Sequence, residues 1–265
     1  MSDPVAEARP EKIPAWVRHT LFALGLLLVV LALVPPVSTQ AHRYVYAEAI
    51  QFSLLAVAAP CLLVLGAPWA WLRLSVGRPA PELPPPAEAK AADRLAEGRR
   101  RHRHFVRSLP WLVAYMVAVV GWRTVSAVDG LRSHPWLLAV EALTLLATGG
   151  CLWAELVDSP PLRARQAPPA RIALAALAMW TIWISAYLVG LAHGSVYRTY
   201  PHVAGAGLSA AADQEVATFV LWFVPAVAFV PLIFANLVSW LSTDEDPDRE
   251  MDRVLREEHR RSLGR

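Results

Sequence analysis

Long apolar segments alternate with polar ones along most of the 265-residue chain. A helix needs roughly 20 apolar residues to cross the hydrocarbon core of a bilayer. Segments near that length occur at 17–34, 47–72, 109–128, 135–157, 172–192 and 216–241. Because backbone polar groups must be paired within lipid, such segments are expected to be helical. The pattern predicts an all-α, polytopic membrane helical bundle of about six transmembrane helices, not a soluble protein with buried helices.

Polar segments divide the chain into three parts. Residues 1–15 contain three prolines and are predicted to be a disordered lead, and residues 242–265 form a densely charged tail. The membrane domain covers 16–241 and includes a basic, proline-rich loop at 73–108, in which 87–107 is predicted to form a surface helix. Four basic residues of this loop suit docking to an acidic partner, although a solvated loop explains them as well. They are Arg99, Arg100, Arg101 and Arg103.

The distribution of basic residues predicts the orientation. If both termini, the 73–108 loop and the 158–171 loop share one side, that side holds all but four of the 25 Lys and Arg residues. The four exceptions are Arg43, Arg123, Arg132 and Arg198. Since basic loops remain in the cytoplasm, both termini are predicted to be cytoplasmic. The net charge of +3 indicates no nucleic-acid partner, and the basic residues suit anionic membrane lipid instead.

Two features leave alternatives open. A cleaved signal peptide is the alternative for the first apolar segment, but the long preceding region carries three acidic residues, which favours a retained helix. The two cysteines, Cys61 and Cys151, do not form a disulfide framework. Their positions along their segments place them at similar depth, which is compatible with a thiol pair or with two small core residues.

The unusual polar residues concentrate at the end of the bundle opposite to the termini. Glu48 and Gln51 are three residues apart, so they share one side of a helix. Charged groups within a membrane are costly, so at least one carboxylate should be protonated or paired, and Arg123 is the nearest cation by topology. Each residue also has a structural explanation, such as a helix cap. The outer cluster, as we name it, comprises Glu48, Gln51, Glu141, Asp213 and Gln214.

The segment around Gln51 resembles the signature helix of the bacterial CtaG family of cytochrome c oxidase assembly factors. That family usually reads His-Met-x-Gln-His, then an apolar run ending in Ala-Pro-Pro-Leu-Leu-x-Leu-Gly-Ala-Pro. This chain keeps Gln51 and reads APCLLVLGAP over 59–68, with Cys61 in place of the second proline. Glu48 and Phe52 stand where the family has its two histidines. Glu141 and the junction from Gly207-Leu208-Ser209 to Asp213-Gln214 also resemble the family.

The resemblance implies a multi-pass protein of the bacterial inner membrane that assists assembly of a haem–copper cytochrome c oxidase, with the oxidase subunits as partners. The resemblance also implies that the protein binds copper, for which imidazole is a suitable ligand. Because the helix histidines are replaced, the remaining candidate ligands are the outer-loop residues His134, His193 and His202. The alternative function is a non-metal membrane scaffold or an accessory subunit of a respiratory complex.

Other classes of function find less support in the sequence. The chain has no Gly-x-Ser-x-Gly, no His-Glu-x-x-His and no phosphate-binding glycine loop, so we do not expect an enzyme. Transporters place polar groups and broken helices near the middle of the membrane. Here the polar residues lie on one side only, which argues against a transport pathway.

Overall fold

The computed structural model describes residues 14–67, 90–159, 164, 166–191, 196–197, 200 and 209–244, with the backbone alone over 90–104 and 243–244. The elements of these residues are helical. In chain order they are α1 (Ala15–Leu33), α2 (Val37–Ala41), α3 (Val45–Ser53), a π-helical turn (Leu54–Ala58), α4 (Ala59–Leu65), α5 (Lys90–Trp122), α6 (Val125–Ser133), α7 (Leu137–Leu156), α8 (Pro168–Gly190) and α9 (Ala210–Asp244).

Six helical stretches in the described residues are long and apolar enough to cross a bilayer. They are Ala15–Leu33, Val45–Leu65, Phe105–Trp122, Leu137–Leu156, Pro168–Gly190 and Ala210–Ser242. This confirms the predicted all-α bundle with six candidate membrane spans. The chain is therefore a multi-pass membrane protein by its helix composition.

The stretch Val45–Leu65 lies at the centre of the bundle. In its most apolar window 61 % of the residues are buried, against 11–39 % in the other five spans. Helix α9 packs on α3, α1 packs on α4, and α7 contacts both α4 and the π-helical turn. Helix α5 packs on α7 and α8, and α8 packs on α9. The central span therefore touches most of the others, which leave much of their apolar surface for lipid.

The sequence pattern predicts one regular helix over 47–72. The central span differs from this prediction. A π-helical turn interrupts it, and the N–H of Ala59 bonds to the carbonyl of Leu54, five residues back. Pro60 follows at once and has no N–H to donate to Ala56, so a regular α-helical ladder cannot continue through this point. The wider turn accommodates this break. The helix then ends at Leu65, earlier than predicted.

Two further predictions about helices are wrong. The separate surface helix expected over 87–107 is instead the first part of α5, which continues through Pro110 to Trp122. Two connections expected to be loops contain the short helices α2 and α6. The hydroxyl of Thr124 accepts a hydrogen bond from the N–H of Ala127 at 3.4 Å, so α6 has a side-chain cap at its start.

Helix α1 packs closely on α4. A Cβ atom added to Gly25 would lie 2.9 Å from the backbone nitrogen of Leu63. Only a residue without a side chain permits this approach. The first apolar segment, for which the sequence leaves a cleaved signal peptide as the alternative, thus packs closely against another helix of the bundle.

Helix α7 approaches the interrupted span through Gly149. A Cβ atom at Gly149 would lie 3.0 Å from Cγ of Pro60 and 3.1 Å from the carbonyl oxygen of Ala56. Pro60 has no N–H and therefore cannot donate a hydrogen bond to that oxygen. The neighbouring Gly150 has no atom within 4 Å of its added Cβ. Of these two adjacent glycines, Gly149 therefore makes the close contact with the interrupted span, and Gly150 does not.

This contrast predicts different outcomes for two neighbouring substitutions. Gly149→Ala and Gly150→Ala gain the same helix propensity, so their difference reports packing. We expect Gly149→Ala to lower the free energy of unfolding by about 1–3 kcal/mol relative to Gly150→Ala, because the methyl group overpacks the contact with Pro60. Unfolding of the purified variants in detergent measures this difference. Equal stabilities would contradict the close approach.

Candidate functional site

Arg123 and Glu48 form a buried ion pair at the end of the bundle where α3, α7 and α9 begin. Arg123 follows the last residue of α5, and its Nη1 donates a hydrogen bond to Oε2 of Glu48 on α3. Only 7 % of Arg123 and 5 % of Glu48 are exposed. This confirms the prediction that Arg123 neutralises a carboxylate of the outer cluster.

Aromatic rings lie against the guanidinium of Arg123. Its Cζ is 5.2 Å from the ring centroid of Phe52 and 5.5 Å from that of Tyr197. Such contacts stabilise a cation that has little access to water. Nη2 of Arg123 donates to the Tyr197 hydroxyl at 3.2 Å, and this hydroxyl is 3.2 Å from the carbonyl oxygen of Arg123, to which it donates. Burial raises the pKa of the Tyr197 phenol, which therefore remains neutral at pH 7.

Glu141 on α7 lies near this ion pair. Only 2 % of the residue is exposed, and its carboxylate interacts electrostatically with Glu48 and with Arg123. Within the described part of the chain, each of these three residues has one buried atom without a hydrogen-bond partner: Oε1 of Glu141, Oε1 of Glu48 and Nε of Arg123. The structure thus brings two carboxylates of the outer cluster together around one cation.

Gln51 is part of a different contact. Its Nε2 donates to the carbonyl oxygen of Ala32, in the last turn of α1, at 2.6 Å. The usual helical partner of that carbonyl would be the N–H four residues on, but position 36 is a proline and has none. Gln51 therefore satisfies a carbonyl that Pro36 leaves unpaired, and joins α3 to α1.

Asp213 links the beginnings of two helices. Its Oδ2 accepts a hydrogen bond from the N–H of Val45 and its Oδ1 accepts one from the N–H of Tyr46, both at 2.9 Å. These are the first N–H groups of α3, which have no partner within their own helix. A carboxylate there also complements the helix dipole. Asp213 stands in the first turn of α9, and the hydroxyl of Ser209 caps this helix by accepting a hydrogen bond from the N–H of Ala212 at 3.1 Å.

Gln214 holds the segment that precedes Tyr197. Its Nε2 donates to the carbonyl of Val189 at 2.8 Å, and its Oε1 accepts from the N–H of Val196 at 3.0 Å. Tyr197, which contacts Arg123, is the next residue. Gln214 therefore positions the tyrosine without touching the ion pair.

Several polar contacts are not anticipated from the sequence. Tyr197 lies in a loop and Phe52 in an apolar run. Aromatic residues are common in both settings for reasons unrelated to a buried charge. Arg132 lies over the ring of Tyr200, with 4.6 Å between Cζ and the centroid. At the other end of the bundle the Glu155 carboxylate accepts from Ser108 at 2.9 Å and from Gln166 at 3.5 Å. The rule that a buried charge needs a partner is the signal that could have directed a search for them.

The predicted metal ligands and docking residues are mostly beyond the described part of the chain. His134 is exposed and ends α6, whereas His193 and His202 lie outside the described residues, as do the side chains of Arg99, Arg100, Arg101 and Arg103. Cys61 and Cys151 are free thiols. Among the residues that the structure describes, no group of three or more His, Cys, Asp or Glu side chains could hold a metal ion.

Comparison with known protein families gives a match over most of the chain. The family model described as cytochrome c oxidase caa3 assembly factor (Caa3_CtaG) matches residues 5–243. The chain belongs to this assembly factor family. The match confirms the resemblance of the signature segment, and it includes all six candidate spans and all five residues of the outer cluster of this Caa3_CtaG member. No curated protein and no solved structure matches the chain.

The bridging role of Asp213 predicts a selective effect on stability. Asp213→Ala should lower the free energy of unfolding by about 1–3 kcal/mol, because it leaves one buried and one partly buried N–H group of α3 without a partner. Glu215, two residues on, is an exposed carboxylate of the same helix and provides the control. We expect Glu215→Ala to change stability by less than about 0.5 kcal/mol. Unfolding in detergent tests both variants, and equal losses would contradict the bridge.

Proposed function

We propose that this member of the caa3 assembly factor family assists assembly of a cytochrome c oxidase as a non-enzymatic protein of the bacterial inner membrane. The family match and the six apolar spans support this proposal. The observation that carries a role for the outer cluster is that two of its carboxylates, Glu48 and Glu141, are buried together with Arg123. Charged groups within a membrane protein are expensive and typically functional.

Stability alone is a poor explanation for this cluster. Replacing a buried ion pair by well-packed apolar residues is often neutral or stabilising. The second carboxylate, Glu141, adds a further ionisable group beside the pair and has an oxygen without a hydrogen-bond partner. We therefore infer that the cluster serves recognition or assembly of the oxidase, in addition to joining α3, α5 and α7.

We also propose that both termini are cytoplasmic, so that the outer cluster lies near the opposite surface of the membrane. The support is the unequal distribution of the 25 Lys and Arg residues. Reporter fusions after Arg78 and Arg265 should then report the cytoplasm, and a fusion after Gly205 should report the outside. A C-terminus on the outside would reverse the assignment.

The described residues of the cluster do not fit copper. Soft sulfur ligands suit Cu(I), and imidazole suits either oxidation state, but the outer cluster offers carboxylates and amides, with the neutral phenol of Tyr197 nearby. The Arg123 guanidinium already pairs with Glu48 and would repel a second cation beside it. We infer that the cluster acts without a resident copper ion, in line with the non-metal alternative from the sequence.

The experiment that tests this function uses Glu141→Gln in a strain that lacks the chromosomal copy. The change preserves the shape of the side chain and removes its charge. We expect the variant to accumulate in the membrane while the assembled oxidase, measured by its haem spectrum and activity, falls several-fold. Glu215→Gln, an exposed carboxylate-to-amide change, is the matched control and should support assembly as the unmodified protein does.

Full oxidase assembly with Glu141→Gln at normal protein levels would contradict a role for the cluster. The copper content of the purified protein distinguishes a cluster that acts without copper from a cluster that binds copper. Without a copper site in the cluster, the purified unmodified protein and Glu141→Gln should contain the same amount of copper. Stoichiometric copper that is lost in Glu141→Gln would show instead that the cluster holds the metal.

A further inference from the structure

Two buried tyrosines connect Arg123 with a second arginine, Arg132. The guanidinium of Arg123 lies 5.5 Å from the ring centroid of Tyr197 and donates a hydrogen bond to its hydroxyl at 3.2 Å. The ring of Tyr197 meets the ring of Tyr200 with 6.3 Å between the centroids and 68° between the planes. Cζ of Arg132 lies 4.6 Å from the centroid of Tyr200. A series of direct contacts therefore joins the two arginines.

Each contact in this series has a favourable geometry. Aromatic pairs prefer edge-to-face or offset arrangements with centroids about 4.5–7 Å apart, and the two tyrosines meet nearly edge to face within this distance. A cation within about 6 Å of a ring centroid is attracted to the ring, and more strongly where water is excluded. Tyr197 is 0 % and Tyr200 3 % exposed, so both rings are shielded from solvent.

The two ends of the series differ in exposure. Arg123 directly follows α5 and is buried with Glu48, whereas Arg132 stands in the last turn of α6 and is partly exposed. Tyr197 and Tyr200 belong to the connection between α8 and α9. The series therefore leads from a buried charge to an element that is accessible from outside the bundle.

We propose that Arg132 is a positioning residue for the buried Glu48–Arg123 pair and acts through Tyr200 and Tyr197. Glu48 holds the guanidinium through Nη1, and the Tyr197 hydroxyl holds it through Nη2. Arg132 fixes the ring of Tyr200, which in turn supports Tyr197 against the guanidinium. Loss of Arg132 loosens both rings and lets water approach Arg123. A change at α6 thereby alters the exposure of a charge that α6 does not itself contact through Arg132.

The position of Arg132 has another explanation, which the experiment must separate from the proposal. A cation in the last turn of a helix complements the helix dipole, and Arg132 occupies that turn of α6. This role stabilises α6 without using Tyr200. It predicts no selective change in the surroundings of Arg123 when Arg132 is replaced.

Chemical modification of Arg123 in the full-length protein in detergent tests the proposal. Phenylglyoxal, a small neutral dicarbonyl, reacts with accessible guanidinium groups, and peptide mass spectrometry measures the rate at each arginine. We expect Arg132→Gln to raise the rate at Arg123 several-fold. Arg43→Gln is the matched control, because it removes the same charge from an exposed residue at the same end of the bundle. Equal rates at Arg123 in the two variants would overturn the proposal.

Variants of Tyr200 test whether Arg132 acts through this ring. Tyr200→Leu should accelerate modification of Arg123 as Arg132→Gln does, whereas Tyr200→Phe retains the ring and should preserve the slow rate. The double variant of Tyr200→Leu with Arg132→Gln should react no faster than the faster single variant. Accelerations that multiply would show independent effects and contradict the proposal. If Tyr200→Leu does not fold, the comparison of Arg132→Gln with Arg43→Gln still decides.

Arg171 provides an internal control in the same samples. It lies at the other end of the bundle, where its Nε donates to the carbonyl oxygen of Gln166 at 2.9 Å. We expect its modification rate to be the same in all variants. A parallel rise at Arg171 and Arg123 would show general loosening of the protein and would overturn the positioning role. These readouts involve no oxidase, so the proposed assembly function can fail while the positioning role stands.

Discussion

The burial of the Arg123 charge is the constraint on which the outer half of the bundle depends. A guanidinium cannot release its proton at ordinary pH and is costly to remove from water. Here it is paired with Glu48, lies against the rings of Phe52 and Tyr197, and bonds the Tyr197 hydroxyl. These contacts fix the positions of α3, the end of α5 and the segment around Tyr197. Gln214 in turn holds that segment from α9.

The other polar residues of the cluster satisfy backbone groups rather than each other. Gln51 pairs the carbonyl that Pro36 leaves free in α1, and Asp213 pairs the first N–H groups of α3. In lipid neither group could find water, so a side chain from another helix is a stabilising solution. Three of the five residues predicted as a site therefore hold the framework. Glu48 and Glu141, with Arg123, remain as the part whose chemistry is available for function.

Physical reasons explain which features could be predicted from the sequence. Membrane thickness fixes the length of a span, so six apolar segments predict six helices well, and the cost of buried charge directs attention to Glu48 and Glu141. The π-helical turn before Pro60 and the continuation of α5 through Pro110 depend on packing, which hydropathy does not record. The partners of Gln51 and Asp213 are backbone atoms of other helices. No residue type marks such atoms in a sequence.

The central claim is that Glu48 and Arg123 stabilise each other, and the most direct test is a double-mutant cycle. Glu48→Gln and Arg123→Gln each leave one buried charge without its partner, so each should cost about 3–5 kcal/mol of unfolding free energy. The double variant contains no unpaired charge of this pair. It should therefore lose less than the sum of the single losses by about 0.5–3 kcal/mol. Losses that simply add would contradict the ion pair as the organising contact.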